Sequence, residues 1–390
     1  MIVELSNRNT VFHSLTSLRE FCIFTLRHPS LDEQHSRNIP LLLEDINSIL
    51  VIKLRAVGDV LLSTPVIQNL HEHFPHARID FLTDKFAEGV VAGNPWITNV
   101  ITFDKRRTSS LALIREVRRA RYDLVIDLFS NPRSAVITWM SGARVRVGFP
   151  FRWRKYAFTI VIPPRGSEVH NIEFNLDALR RLEIPVRHHD PYFPIDKASK
   201  DFAAEWIVQN KLDGKFIVAM NPSGGWYTKR WGLEHYARMG DLISERYDAT
   251  VLLLWGPGEK EDALTIQAAM KAHSHIIPQT TLPGLGAFIQ RCDVVVSNDS
   301  GPMHIAAALK VPTLGIFGPT NPLLQGPFGN QNLWVRNEEL DCLSCNLTKC
   351  PIGNICMTQL EVDRVLKAFD QLVSQSHHRR NFPVQHSHKT

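Results

Sequence analysis

The stretch Ser297-Asn298-Asp299-Ser300-Gly301-Pro302-Met303-His304 is well equipped to hold an anion. It follows the apolar run Asp293-Val294-Val295-Val296, which reads as a buried parallel strand, and precedes Ile305-Ala306-Ala307-Ala308-Leu309, which reads as a helix. Pro302 suits the first turn of that helix, where its missing N–H is no loss. A strand, a polar turn and a helix start leave unpaired backbone N–H groups and the positive end of a helix dipole at the strand's C-terminal edge. This suits a phosphate or diphosphate, with His304 in the first turn facing the same space and Asp299 beside it. The plainer alternative is an ordinary strand–helix turn with a capping Asp or Ser.

A second chemical position opens the first regular part of the chain. Ile49 to Leu54 reads as a buried strand, Arg55-Ala56-Val57-Gly58-Asp59 as a turn, and Val60 to Leu70 as one helix with Pro65 near its first turns. The turn lacks the G-x-G-x-x-G fingerprint, which weakens a nicotinamide-dependent dehydrogenase. It offers instead one carboxylate, Asp59, at the strand's C-terminal edge, where doubly wound folds place ligands.

The elements that position these residues alternate strand and helix in two series. In the first, strands are expected at 78–82, 99–103 and 123–128, with a helix at 111–121 and another from His170 to Leu182. In the second, the strand at 216–220 ends in Asn221-Pro222-Ser223-Gly224-Gly225, followed by Lys229-Arg230-Trp231 and a helix at 234–247. The strand at 250–255 ends in Gly256-Pro257-Gly258-Glu259, and the strand at 313–317 ends in Gly318-Pro319-Thr320. With the Asp299 turn, polar or glycine-rich turns close four strands on one edge, a credible nucleotide site. The expected organisation is an extension at 1–47, a first Rossmann-like domain at 48–187, a linker at 188–197, and a second Rossmann-like domain at 198–375. An amphipathic last helix at 359–373 precedes a disordered tail at 376–390.

A chain of 390 residues, 44% hydrophobic and 21% charged, is ordinary for a globular protein of two domains. No apolar run is long enough to span a bilayer, and the N-terminus lacks a signal-peptide pattern, so a cytoplasmic location is expected. The net charge of +5 permits an anionic partner without demanding one. Of six cysteines, Cys22 and Cys292 stand alone and read as buried apolar residues. Cys342, Cys345, Cys350 and Cys356 form a short-spaced cluster that could wrap a structural zinc, or could be a reduced, metal-free loop. Residues 144–158 hold Arg144, Arg146, Arg152, Arg154 and Lys155 without an acid, interleaved with Phe149, Phe151, Trp153, Tyr156 and Phe158. Such a loop could grip an anionic, amphiphilic acceptor or nucleic acid, or its rings could simply pack onto the first domain.

Together these motifs resemble glycosyltransferase family 9, the ADP-heptose:lipopolysaccharide heptosyltransferases, over residues 49 to about 375. The opening Lys53-Leu54-Arg55-Ala56-Val57-Gly58-Asp59 looks most like the branch that adds the third inner-core heptose. The resemblance implies a GT-B fold, an α/β architecture of two Rossmann-like doubly wound domains facing a central cleft. The first would bind the acceptor and the second the nucleotide sugar. It implies inversion at the sugar without a metal ion, with Asp59 as general base; the plainer role for Asp59 is to cap the following helix. Lys229 maps onto the family's phosphate-binding lysine and Glu259 onto its ribose carboxylate. A solvated lysine and a first-turn acid are the plainer readings. Asp299 would accept from the donor heptose hydroxyls, and His304 would touch donor phosphate or sugar. Ser300 and Gly301 would offer N–H groups to the diphosphate, with Ser223 and Thr320 as supporting hydroxyls.

Arg55, Arg152, Arg154 and Lys155 are the candidate acceptor contacts. The implied partners are ADP-heptose and the lipid A-linked lipopolysaccharide core, met by peripheral contact at the inner face of the inner membrane, with no nucleic acid. No cofactor is required for catalysis. Two other classes stay open: a GT-B transferase or epimerase using another nucleotide sugar, and a non-catalytic protein that binds nucleotide sugar or nucleic acid.

Overall fold

Twelve parallel strands in two sheets carry the chain, and both sheets have the same order. The computed structural model describes residues 43–104, 107, 109–165 and 168–377; the side chains of Arg152, Trp153 and His377 are outside the description. Cys22 and most of the 1–47 extension, and residues 378–390 of the expected tail, lie outside the described residues. The described residues from Glu44 onward belong to one compact unit.

The first sheet begins with β1 (Ser48–Ile52), followed by α1 (Val57–Leu61) and α2 (Thr64–His73). Next come β2 (Arg78–Asp84), β3 (Asn99–Phe103), α3 (Ser110–Arg119), β4 (Leu124–Asp127), α4 (Pro132–Met140), β5 (Val145–Gly148) and β6 (Ile160–Val161), with α5 (Asn171–Arg181) closing the series. The second series runs α6 (Lys197–Gln209), β7 (Ile217–Asn221), α7 (Leu233–Tyr247), β8 (Thr250–Leu253), α8 (Lys260–Ala269), β9 (Ser274–Ile276) and α9 (Leu282–Gln290). It continues with β10 (Val294–Asn298), α10 (Gly301–Ala308), β11 (Thr313–Ile316), α11 (Pro322–Gln325), β12 (Leu333–Val335), α12 (Ile355–Thr358) and α13 (Val362–His377).

The orders are β3-β2-β1-β4-β5-β6 and β12-β11-β10-β7-β8-β9. Central stretches such as Ile49 to Ile52 and Val294 to Val296 are buried because helices cover both sheet faces, which is why they read as unbroken apolar runs. In each sheet the strand order reverses once, between β1 and β4 and between β7 and β10. Doubly wound folds bind ligands at this reversal, outside the strand C-termini. The turns holding Asp59, Ser223 and Asp299 all leave strands at these two positions.

Three local expectations change. The single helix expected at 60–70 is two, α1 and α2. Pro65 has no N–H for the Leu61 carbonyl, and the Thr64 hydroxyl takes that carbonyl instead at 2.8 Å. α6 and α4, not singled out in sequence, are capped by Asp196, which accepts from Ser199 N at 2.8 Å, and by Asn131, which accepts from Ser134 N at 2.8 Å. α13 continues through His377, beyond the expected start of the tail, because Leu372 and Val373 still face the core.

Candidate active site

The two strand reversals meet through the first turns of α1 and α10. A Cβ added at Gly58 would lie 2.5 Å from Cδ2 of His304, and one at Gly301 would lie 2.8 Å from Cγ1 of Val57. Glycine at both positions therefore permits backbone of one sheet's helix to touch the other's. Asp59 is thereby brought beside the Asp299–His304 turn.

On the first wall, Asp59 sits half-buried in the first turn of α1, and its Oδ2 accepts from Ala56 N at 3.1 Å. The capping role is thus present. It engages one oxygen; Oδ1 takes part in no hydrogen bond among the described residues. Beneath lies Lys53, whose Nζ donates to Leu128 O at 3.0 Å and to Asn175 Oδ1 at 3.2 Å. Asn175 Nδ2 donates in turn to Leu62 O at 3.1 Å, just past α1. Burial pulls the Lys53 pKa down, while the charges of Asp59 and Asp127 push it up. Asp127, buried and accepting from the N–H groups of Phe129 and Ser130, is raised to about 6 by burial. The Lys53–Asn175 tie fixes the position of α1. The sequence signal for it is a lysine ending an otherwise apolar strand.

On the second wall, buried Asn298 clamps two turns. Its Oδ1 accepts from Trp231 N at 3.2 Å and its Nδ2 donates to Pro222 O at 2.6 Å. Asn221 Nδ2 donates to the hydroxyls of Ser297 and Ser300, both at 2.9 Å. Lys229, in the 3-10 turn Tyr227–Lys229, places Nζ 2.6 Å from Asp299 Oδ2 and 4.7 Å from the centroid of the Trp226 ring. Thr320 donates to the same Asp299 oxygen at 2.7 Å. Ser223 Oγ is buried with no partner among the described residues and lies at the end of β7.

Glu259, at the start of α8, accepts through Oε2 from Gly256 N and through Oε1 from Arg230 Nη2, both at 3.2 Å. Arg230 also donates to Gly224 O and to Asp262, so it braces the β7 turn against the β8 turn. It is a positioning residue that motif reading passes over, because only its neighbour Lys229 has an obvious partner.

His304 is 6% exposed, with Nδ1 unpartnered among the described residues. Burial drives its pKa down to about 4, outweighing the opposing pull of Asp299. The ring is therefore neutral at physiological pH. As pH falls below the free value of 6.5 the unfolded chain takes up a proton, and the native chain follows only near 4. Stability is therefore full above pH 6.5 and is lost by about 3 kcal/mol on descent to pH 4. Asp127 acts with the opposite sign, since its raised pKa makes the native state the better proton acceptor between pH 4 and 6. The variant difference isolates His304: urea unfolding at pH 7.5 and 4.5 should show a smaller acid loss in His304→Gln than in the unaltered chain. An equal loss in both would contradict a buried neutral ring.

Three acceptor candidates share the 3-10 turn Arg152–Ala157, and Arg55 stands on the turn after β1. Arg55 is exposed beside Asp59 and makes no hydrogen bond among the described residues. Arg154 donates to Phe151 O and lies over the Phe151 ring, and exposed Lys155 lies over Tyr156. Other members of the basic aromatic run are structural. Arg146 donates to Ala157 O and Ala143 O, Arg144 donates to Glu44 O, and Phe149 stacks on Phe174 with centroids 4.1 Å apart.

Cys292 is buried, as expected of an apolar residue. Cys342 and Cys345 are exposed, Cys356 is buried, and no group of three or more His, Cys, Asp or Glu among the described residues is arranged to hold a metal ion. Burial, and after it the nearby Cys345, Cys342 and Cys350, push the Cys356 thiol up to about 11. The loop packs against the Gly318 turn and the 3-10 turn Tyr227–Lys229. A Cβ at Gly318 would meet Cys356 Sγ at 2.9 Å, Asn346 N donates to Pro319 O at 2.7 Å, and Thr228 donates to Leu347 O at 2.8 Å.

Two Rossmann-like sheets that meet in this way form a GT-B architecture, with a carboxylate on one wall and a lysine and helix N-terminus on the other. The sequence model of glycosyltransferase family 9 (heptosyltransferase) matches residues 110–356, and the chain belongs to that family. It is a glycosyltransferase. Lipopolysaccharide heptosyltransferase 3 of Escherichia coli K12 is 28% identical over 309 residues, covering 73% of this chain and 87% of the relative. Lipooligosaccharide heptosyltransferase 2 of Campylobacter jejuni is 26% identical over 330 residues, covering 82% and 97%. Among solved structures, a family 9 glycosyltransferase of Veillonella parvula matches with a TM-score of 0.75 at 23% identity, covering 84% of this chain and 97% of that one. The ADP-heptose lipopolysaccharide heptosyltransferase II of Escherichia coli matches with a TM-score of 0.70 at 22% identity, covering 85% and 99%. These likenesses support the two-sheet fold.

Proposed function

We propose that the enzyme transfers a heptose from ADP-heptose to the inner core of lipopolysaccharide, by a single displacement that inverts the anomeric carbon. The observation that carries this reading is the contact of Gly58 with His304, which sets Asp59 beside the anion cradle of α10. Relatives named as lipopolysaccharide heptosyltransferases and a solved Escherichia coli heptosyltransferase with ADP-2-deoxy-2-fluoro heptose support the choice of donor.

In this mechanism Asp59 Oδ1 takes the proton of the acceptor hydroxyl as its oxygen attacks the anomeric carbon. The bond from that carbon to the diphosphate oxygen breaks, and ADP leaves. Lys229 and the N–H groups at Ser300 and Gly301, in place of a metal ion, meet the charge that develops on the diphosphate. Ser223 and Thr320 add hydroxyl contacts. Glu259 accepts from the ribose hydroxyls, held in place by Arg230. Asp299 keeps Lys229 at the cleft through Oδ2 and offers Oδ1 to the heptose hydroxyls. Neutral His304 donates or accepts at the sugar–phosphate junction. Arg55, Arg152, Arg154 and Lys155 belong to the acceptor side, where a lipid A-linked core would bring the enzyme to the inner face of the inner membrane.

The test is donor turnover. Purified enzyme with a lipopolysaccharide core acceptor should release nucleoside diphosphate from ADP-heptose and not from UDP-sugars. Release from a UDP-sugar alone would overturn the donor assignment.

A further inference from the structure

We propose that α3, α4 and the 3-10 turn Arg152–Ala157 form a docking surface for an anionic lipid bilayer. This rests, for its purpose, on the reading that the acceptor is lipid-anchored. Its observations are independent of the transfer chemistry.

α4 buries Ala135, Ile137 and Thr138 and turns a stripe of Arg133, Val136 and Trp139 outward at helical spacing. Val136 is 41% exposed and Trp139 62%. α3 packs beside α4, with Arg118 Nη1 donating to Met140 O at 3.3 Å, and turns out Leu111 at 62% exposure above Arg115. The 3-10 turn packs on the other side of α4 and presents Lys155 and Tyr156, with Phe151 just before it. Single exposed apolar side chains are ordinary; adjacent elements that each expose one are not.

The charge around these side chains is predominantly positive. Glu116 is the only acid in the three elements, against Arg115, Arg118 and Arg119 in α3, Arg133 in α4, and Arg152, Arg154 and Lys155 in the turn. Aliphatic and indole groups flanked by cations suit the bilayer interface, where rings enter the headgroup layer and cations meet lipid phosphates. Each cation close to an anionic membrane strengthens association by about fivefold. Arginine and aromatic side chains also serve protein interfaces, but the excess of cations around exposed aliphatic groups favours an anionic bilayer. Nucleic acid gives no reason for Val136 or Leu111 to stay exposed.

The 3-10 turn puts one end of this surface beside the strand edge of the first wall. The 3-10 turn follows the C-terminal end of β5, where Phe149 N donates to Ser130 Oγ at 2.9 Å, and Ser130 leaves the end of β4 next to β1. A bilayer on this surface would bring a lipid-linked hydroxyl to the strand edge that carries Asp59.

The test is co-sedimentation of the full chain with vesicles of phosphatidylethanolamine and phosphatidylglycerol, compared with phosphatidylcholine alone. The chain should bind the anionic vesicles and release them as salt rises. Val136→Ser with Trp139→Ser should weaken binding by about tenfold or more, and Arg115→Glu with Arg119→Glu should do the same by removing charge. Both pairs are exposed, and unchanged melting curves would show that the fold is intact. Equal binding to both vesicle types, or unaltered binding by both double variants, overturns the proposal. Transfer to a delipidated core oligosaccharide separates this surface from the active site. Val136→Ser with Trp139→Ser should retain that activity, and its loss would place these residues in the acceptor site instead. Vesicle binding without transfer by the unaltered chain would refute the proposed function and leave the docking surface standing.

Discussion

Asp59→Asn should lower kcat by about 10²–10⁴-fold, the usual contribution of a general base, while ADP binds as before. The substitution is close to isosteric. An asparagine Oδ1 can still accept from Ala56 N, the one hydrogen bond the carboxylate makes among the described residues, so α1 should keep its place. What is lost is the ability to take a proton at the second oxygen. Calorimetric titration with ADP beside steady-state turnover separates the two roles. Turnover near the unaltered rate would leave Asp59 as a helix cap and nothing more.

Lys229→Ala should lower kcat/KM for the donor by about 10²–10³-fold, as expected when one preorganised donor to a developing oxyanion is removed. The lysine is held rather than solvated: its ammonium lies 2.6 Å from Asp299, whose carboxylate is otherwise bonded to Thr320. Removing it alone leaves a buried carboxylate unpaired, at about 3–5 kcal/mol of stability. A loss of activity could then reflect unfolding. Adding Asp299→Asn removes the unpaired charge, so the double variant should regain thermal stability and remain inactive. A double variant that regained turnover would show that Lys229 serves the fold alone.

The strand runs and the turns after them were readable in the sequence for a physical reason. Strands buried on both faces are continuously apolar, and ligand turns need glycine, proline and small polar residues. The pairing of the two reversals was not readable. Gly58 and His304 are far apart in sequence, and neither residue type announces that a backbone passes against a ring. Lys53 and Asn175 are separated by 122 positions, so their bond belongs to tertiary packing and to no motif. The break between α1 and α2 could have been inferred from Ser63-Thr64-Pro65, since two hydroxyls and a missing N–H favour a helix end and a new start. Cysteine spacing gave the loop but not where it rests. Spacing constrains which sulfurs can approach and says nothing of the Gly318 turn beneath them. In the basic aromatic run, composition could not distinguish Arg146, drawn onto backbone carbonyls, from Lys155, which stays in solvent.

The most direct measurement is mass spectrometry of the lipopolysaccharide core from cells lacking the gene, complemented with the unaltered chain or with Asp59→Asn. The core should be one heptose lighter without the gene, restored by the unaltered chain and not by the variant. A core of unchanged mass in the deletion, or full restoration by Asp59→Asn, would contradict heptose transfer driven from this carboxylate.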